Sequence, residues 1–558
     1  MSKLFAGIVA ALIGLFFCAP LLAESYVFFQ NNTSFPIQVN TSQSGSHALA
    51  EVAWWGKDGI IAPWQKESNV FWVNRNKGIK NGKTYLFTVS LSAGTDTIRF
   101  LVNIKGWPVG SGMKFALEAP NSKPKWYHDK EFHEATFMLN GKLVTAKFAA
   151  YNTRTAYSDI TLVLHELQPY PTNPIDLINP DVINILSYNI YMLTPPLAFT
   201  NQETRAEVIP GYVHGYDAII FSEAFYNSAR TTLLEGLAPE YPYHTHVLNN
   251  SETIEDGGVI IVSRWPIEFT NQMIYNNCQG EDCFASKGVM YAQINKLGRR
   301  YHLFGTHMQA WKSGEKVSVR QEQFQQIKQF IGEQHIPKGE PILIGGDLNV
   351  DKIENKADEY CRMLSTLQVN EPAYCPYPYT CNGLTNYYCS ETAPPEYLDY
   401  ILPFSINGAT PLKATNQVRI LRAIEDKLWN IFDLSDHFSV CGRFVFPAVT
   451  LADYNANNLL NPLCLNTPQP ETPNTATLLN RFTQYMNSLH NQGDTLMTAI
   501  AANLEQYFNS GTVSLLTDAG TLADTAAIKQ QLRMLQQQGN VLLMMQPSLL
   551  PVAPLRGQ

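Results

Sequence analysis

Charged side chains are scarce. Asp, Glu, Lys and Arg make up 16% of the 558 residues, against about 25% in a typical soluble protein. The 40 Lys and Arg and 48 Asp and Glu leave a formal charge of −8, and no long basic run occurs. A protein that tracks a phosphate backbone is ordinarily basic, so no nucleic-acid partner is expected. Beyond the N-terminus no apolar run approaches the about 20 residues of a membrane-spanning helix, so any membrane contact should be peripheral. Cys-X-X-Cys pairs and His-containing zinc spacings are also missing, which disfavours a structural zinc site. No protein partner is indicated. What is abundant is apolar surface: 45% hydrophobic residues suffice for ordinary cores and exclude disorder throughout.

The first residues carry one positive charge at Lys3, a short apolar stretch from Leu4 to Phe17, and Ala23 before Glu24. Residues 1–23 therefore read as a secretory signal peptide, and the mature protein is expected to be secreted. Without Cys18, eight of the nine cysteines remain, at 278, 283, 361, 375, 381, 389, 441 and 464. An even number in an exported chain implies disulfides, with about 105 pairings open. Cys278 and Cys283 are near enough in sequence to close a small loop.

Residues 24–168 read as a β-sandwich-like accessory domain. Its clearest signal is Phe137 to Val144, where Asn140-Gly141 supplies the positive φ angles of a type I′ hairpin. Pro169, Pro171, Pro174 and Pro180 then mark a linker over 169–180, expected to be extended and non-helical. From 181 to 446 apolar strand-like runs (Val182–Leu186, Ala218–Phe221, Val259–Val262, His302–Gly305, Pro341–Ile344) alternate with helical stretches, predicting a layered α/β domain. Residues 447–558 open with a proline-containing linker and continue with apolar residues at helical spacing, among them Leu479, Phe482, Met486 and Leu489. These predict a helical C-terminal extension.

Six segments of the 181–446 block deliver polar side chains at the end of an apolar run. They are Ile185-Leu186-Ser187-Tyr188-Asn189, Ile220-Phe221-Ser222-Glu223, Phe304-Gly305-Thr306-His307, Ile344-Gly345-Gly346-Asp347-Leu348-Asn349, Tyr397-Leu398-Asp399-Tyr400 and Leu434-Ser435-Asp436-His437. Each alone is weak; an Asn or His at a strand end is usually a turn or structural residue. In this order they resemble the endonuclease/exonuclease/phosphatase superfamily, the metal-dependent phosphoesterases that include DNase I. Further segments are similar to bacterial neutral sphingomyelinases (sphingomyelinase C, or β-haemolysin type): Ile254-Glu255-Asp256-Gly257-Gly258, Val262-Ser263-Arg264-Trp265-Pro266, Ser286-Lys287-Gly288 and Thr306-His307-Met308-Gln309. The resemblance covers about 181–446. It implies a four-layer fold, two packed β-sheets flanked by helices.

The residue types suit the chemistry. A phosphodiester is anionic, so attack by water needs charge neutralisation and an activated nucleophile. The resemblance implies Mg²⁺, with Mn²⁺ or Co²⁺ able to replace it, held by Glu223 with Asn189 beside it and Asp436 in support. It implies Asp347 and Asn349 directed at phosphate and nucleophile, and Asp399 orienting His437. Imidazole titrates near neutral pH, so His437 is the expected base and His307 the group that stabilises phosphate oxygens or protonates the leaving oxygen. Which histidine is acid and which base stays open. A second, edge divalent site would use Glu255, Asp256 and the carbonyl of Phe225. Trp429, in Lys427-Leu428-Trp429-Asn430, is a candidate lipid contact or a core residue.

The implied activity is Mg²⁺-dependent hydrolysis of sphingomyelin to ceramide and phosphocholine at sphingomyelin-containing membranes. Two alternatives remain at this level: the same site acting on DNA or inositol phosphates, or a membrane-binding or pore-forming protein acting through residues 24–168.

Overall fold

The computed structural model describes residues 24–448 apart from 152–158, 168, 171–173, 251–252, 355–357, 375–376, 391, 393 and 407–408. The signal segment and the helical periodicity beyond Pro447 fall outside the described residues, apart from Ala448. The chain divides into two compact units.

The first unit comprises the described residues up to 170 together with Ile424–Asn430. Two six-stranded sheets form it. One runs in the order His133–Leu139, Lys142–Tyr151, Asp159–Glu166, Glu24–Asn32, Ser68–Asn74, Trp54–Gly56. The other runs Gly59–Ile61, Ile37–Gly45, Thr84–Ala93, Asp96–Gly106, Ser111–Glu118, Lys125–Tyr127. Strand Thr84–Ala93 shows why: every second residue, Tyr85, Phe87, Val89 and Leu91, is fully buried, the period-two pattern of a one-faced sheet. The inner faces share one core, in which Phe71 meets Phe87 at 4.8 Å and Phe100 meets Phe148 at 5.3 Å between ring centroids. The hairpin at Asn140-Gly141 forms with φ of 50° and 70° and pairs Leu139 with Lys142.

The second unit takes in the described residues of 172–423 and from Ile431 onward. Its seven-stranded sheet has the order Tyr243–His244, Ile260–Ser263, Ala218–Ser222, Val182–Asn189, Ser439–Val445, Lys413–Arg419, Ala373–Tyr374. Its five-stranded sheet has the order Ile267–Ile274, Gly288–Lys296, Arg299–His307, Ile342–Asp347, Asp399–Pro403. Two parallel pairs, Val182–Asn189 with Ala218–Ser222 and Arg299–His307 with Ile342–Asp347, are each joined through a helix, Gln202–Val208 and Gly314–Glu333. Such crossovers carry helices on a sheet face. The opposite faces meet in one core of Ile183, Ile185, Ile220 and Ile261 with Ala292, Leu303, Leu343 and Ile401. A methyl group on Gly305 or on Gly345 would come within 2.8 Å of the Ile220 side chain. Glycine there lets one sheet press onto the other directly beneath the strand ends.

One expectation needs correction. The proline-rich stretch is not wholly extended: Pro174–Ile178 is a short helix. Pro174 is its first residue, where the missing N–H costs nothing. Asp176 fixes it by accepting two hydrogen bonds from the Arg443 guanidinium, at 2.8 and 3.0 Å.

Among the described residues no helix is long and apolar enough to cross a membrane. Cys278 and Cys283 are disulfide-bonded.

Candidate active site

Strand register gathers the polar residues at one end of the two-sheet stack. In the five-stranded sheet His307, Asp347 and Asp399 are direct partners on adjacent strands. In the seven-stranded sheet Asn189 pairs with Ser222, so Glu223 follows immediately beside it. Ser435-Asp436-His437 precedes strand Ser439–Val445, which runs antiparallel to Val182–Asn189 and so starts at the same end. Segments far apart in sequence therefore deliver their last or first residue to one place.

Asn189 is the hinge of the cluster. Its side-chain N–H groups donate to Glu223 Oε1 at 3.0 Å and Asp347 Oδ2 at 3.1 Å. His307 Nε2 lies 3.9 Å from Glu223 Oε1 and 3.7 Å from Asp347 Oδ2. On the far side of Asp347, His437 Nε2 is 3.9 Å from Asp347 Oδ2, while its Nδ1 is 2.8 Å from Asp399 Oδ2. Asn349, at φ 52°, donates its backbone N–H to Asp347 Oδ1 and its side chain to the carbonyl of Met308. Ser435 Oγ donates to the carbonyl of Asn189 at 2.7 Å and lies 3.1 Å from Asp436 Oδ1, which places Asp436 at the same mouth. Glu223, His307 and Asp347 offer ligand atoms within 4.8 Å of one another, as do Asp347, Asp399 and His437.

The electrostatics follow from burial. Desolvation, with the Asp436 charge adding to it, pushes the Glu223 carboxyl up to about 7. Burial also raises Asp347 and Asp436, and raises Asp399 to about 6. His437 loses hydration too, but the Asp399, Asp347 and Asp436 carboxylates outweigh that and hold it well above the ordinary histidine range. His307 moves the other way: burial and the nearby Lys287 and His437 charges hold it well below that range. Four crowded acids with few internal cations are a donor set that suits a hard cation.

The profile of the endonuclease/exonuclease/phosphatase family matches residues 186–437. The chain is 38% identical over 266 residues to a sphingomyelinase C of Bacillus cereus, an alignment covering 43% of this chain and 79% of that protein. The chain belongs to the endonuclease/exonuclease/phosphatase family. A second relative within the family is sphingomyelinase C 2 of Leptospira interrogans, 37% identical over 294 residues, 47% of this chain and 46% of that one. The chain thus spans about half the length of the Leptospira relatives it matches. Among solved structures, SmcL is similar with a TM-score of 0.44 and 35% identity, covering 48% of this chain and all of that one.

The structure also brings in residues to which sequence reasoning assigned no role. Lys287 Nζ is buried, 3.1 Å from His307 Nε2, 3.0 Å from the carbonyl of Met308 and 2.8 Å from Asp282 Oδ1. Asp282 sits inside the loop closed by Cys278 and Cys283. The legible signal was Ser286-Lys287-Gly288, a lysine just ahead of a buried strand. Arg205 is fully buried and donates to the carbonyls of Ile190 and Leu434, which ties the Asn189 strand end to the Ser435-Asp436-His437 turn.

Of the expected edge site, Asp256 and the Phe225 carbonyl come together, but around a cation of the protein itself. Arg230 Nη1 donates to Asp256 Oδ2 at 2.8 Å and to the carbonyl of Phe225 at 3.1 Å. Glu255 accepts from Thr194 Oγ1 at 2.9 Å, and desolvation raises its carboxyl to about 7. Trp429 belongs to the first unit, where it is half-buried with its ring edge-on to Phe132 at 5.0 Å.

Proposed function

We propose that the chain is an exported, Mg²⁺-dependent phosphodiesterase that hydrolyses sphingomyelin to ceramide and phosphocholine. The observation carrying this reading is the His437–Asp399 pair set against the Glu223, Asp347 and His307 cluster, in a chain whose relatives include sphingomyelinases C of Bacillus cereus and Leptospira interrogans.

Glu223 and Asp436, with Asn189 and Asp347 beside them, would hold the cation, and the donor set fits one: buried carboxylates whose pKa values are raised by desolvation are oxygen ligands in need of positive charge. When bound, the cation neutralises charge on the phosphoryl group and makes water a better nucleophile.

The chain's residues do the rest. Asp399 accepts the Nδ1–H of His437, which fixes the ring and leaves Nε2 facing Asp347 and the cluster, as a general base requires. In its neutral form His437 would take the proton of an attacking water on Nε2. Lys287 Nζ lies 3.1 Å from His307 Nε2, the ring nitrogen that also faces Glu223 and Asp347. His307 and Lys287 together offer donors to the phosphoryl oxygens or the ceramide oxygen that leaves. Asn349 and Asp347, locked by the turn that joins them, would orient phosphate and water.

The test is phosphocholine release from sphingomyelin vesicles with Mg²⁺ and with EDTA, beside phosphatidylcholine, plasmid DNA and an inositol phosphate. Mg²⁺-dependent release from sphingomyelin, lost in His437→Ala, is expected. Turnover of DNA or inositol phosphate alone would move the substrate and leave the chemistry.

A further inference from the structure

The edge cluster differs from the central one in holding a guanidinium directly on the oxygens expected to bind metal. Arg230 is only 8% exposed. Its guanidinium touches two of the three expected ligands, Asp256 and the Phe225 carbonyl, and also the Ala224 carbonyl and Asn227 Oδ1. The other Asp256 oxygen is taken by the Gly258 N–H at 2.9 Å. A divalent cation drawing on the same oxygens, at the about 2.1 Å that Mg²⁺ demands, would have to push this group aside. A guanidinium cannot avoid the repulsion by losing its proton.

The location of Arg230 argues the same way. It is the fourth residue of helix Asn227–Leu237, in the first turn, where the helix dipole disfavours a cation. A buried arginine persists there only because oxygens satisfy it, and the ones that do so come from the loop Glu223–Asn227 and from Asp256. These are the groups a metal at the edge would otherwise tie together.

We infer that Arg230 is the resident cation of the edge cluster, replacing a second metal ion and locking the Phe225 turn to the Glu255-Asp256-Gly257-Gly258 loop, so that the protein binds one divalent ion and not two. The inference rests on the proposed central cation. Arg230 acts here as a positioning residue: the Phe225 turn begins at Glu223, so the guanidinium also steadies the backbone that presents that carboxylate.

Equilibrium dialysis of the full-length, metal-free protein against Mn²⁺ tests this by counting bound ions. One ion per chain is expected for the wild type, two for Arg230→Ser, which opens the space and frees both oxygens, and one for Arg230→Lys, which keeps a cation. Two ions on the wild type would overturn the inference whatever the variants do. So would a folded Arg230→Ser protein that still binds one. No ion on the wild type would instead remove the central cation of the proposed function, a separate failure. A thermal midpoint that Mn²⁺ raises further above its EDTA value in Arg230→Ser than in Arg230→Lys or the wild type would support the exchange of arginine for metal.

Discussion

His437 Nδ1 and Asp399 Oδ2 lie 2.8 Å apart, although one precedes the final strand of the seven-stranded sheet and the other opens the last strand of the five-stranded sheet. The pair therefore bridges the two sheets at their common end. It can form only when both sheets are correctly stacked.

Removing either member should cost turnover rather than substrate affinity. Without Asp399 the imidazole loses the acceptor that fixes its tautomer, and without His437 no base faces the cluster. Asp399→Asn and His437→Ala are each expected to lower kcat by about 10²- to 10⁴-fold with little change in KM. Steady-state kinetics on sphingomyelin vesicles would check this. A double variant no worse than either single one would show that the two act as a unit.

Metal dependence should be tied to pH. Glu223 titrates near 4.5 when solvated but near 7 in the fold. Between those values the metal-free fold holds a proton that the unfolded chain has released, so stability falls as pH rises through this window. Above about 7 the buried carboxylate is ionised and the penalty is complete. A cation offsets that charge. Mg²⁺ should therefore raise the thermal midpoint clearly at pH 8 and hardly at pH 5, where its binding must displace the proton. Differential scanning calorimetry with Mg²⁺ and with EDTA at the two pH values reads this out.

Much of this site was legible beforehand because each element is local: an apolar strand, then one or two polar residues, repeated in a fixed order. The strand runs from Val182, Ala218, Val259, His302 and Pro341 all fall within or beside observed strands. What sequence could not give was the side-chain partnership across strands. Lys287 stood in a recognisable segment but without a role, and only register puts its Nζ against His307 Nε2. Arg230 drew no reading from the sequence, and its bond to Asp256 exists only once the two segments meet. The helix at Pro174 was hidden by composition, since its stability comes from Arg443, far away in sequence.

Lys287 supplies the next test. It is held between Asp282 and His307, so its charge is fixed close to where the phosphoryl group would sit. Lys287→Met should lower kcat by about 10²-fold. Lys287→Arg should recover part of that, since a cation remains. A merely structural lysine would show matched losses of thermal stability in both variants and no such rescue, which paired melting curves and kinetics would reveal.

The remaining cysteines make a chemical prediction. Cys381 and Cys389 are free thiols; the Cys389 side chain and burial hold the Cys381 thiol well above its usual range, and Cys389 Sγ donates to the carbonyl of Asp436 at 2.9 Å. In an oxidising compartment a thiol pair this close should transfer two electrons and two protons to a disulfide oxidant and become cystine. Non-reducing peptide mapping of the protein produced in an oxidising compartment should find Cys278 linked to Cys283 and Cys381 linked to Cys389. Alkylation of both Cys381 and Cys389 without prior reduction would contradict the second link.

Gly346 offers the sharpest stability test. Its φ is 139°, a region L-residues avoid, and a methyl group there would lie 1.8 Å from the carbonyl oxygen of Thr306. That carbonyl belongs to the neighbouring strand, in the row just before His307 and Asp347, so it cannot retreat without breaking the register that aligns them. Neither backbone strain nor the clash can relax locally. Gly346→Ala should therefore destabilise the protein by more than about 2 kcal/mol and abolish turnover. By contrast, Gly332→Ala, in helix Gly314–Glu333 with open space at its Cβ, should be neutral or slightly stabilising. Urea unfolding of the two variants, side by side, separates a requirement of this one strand end from a general intolerance of alanine.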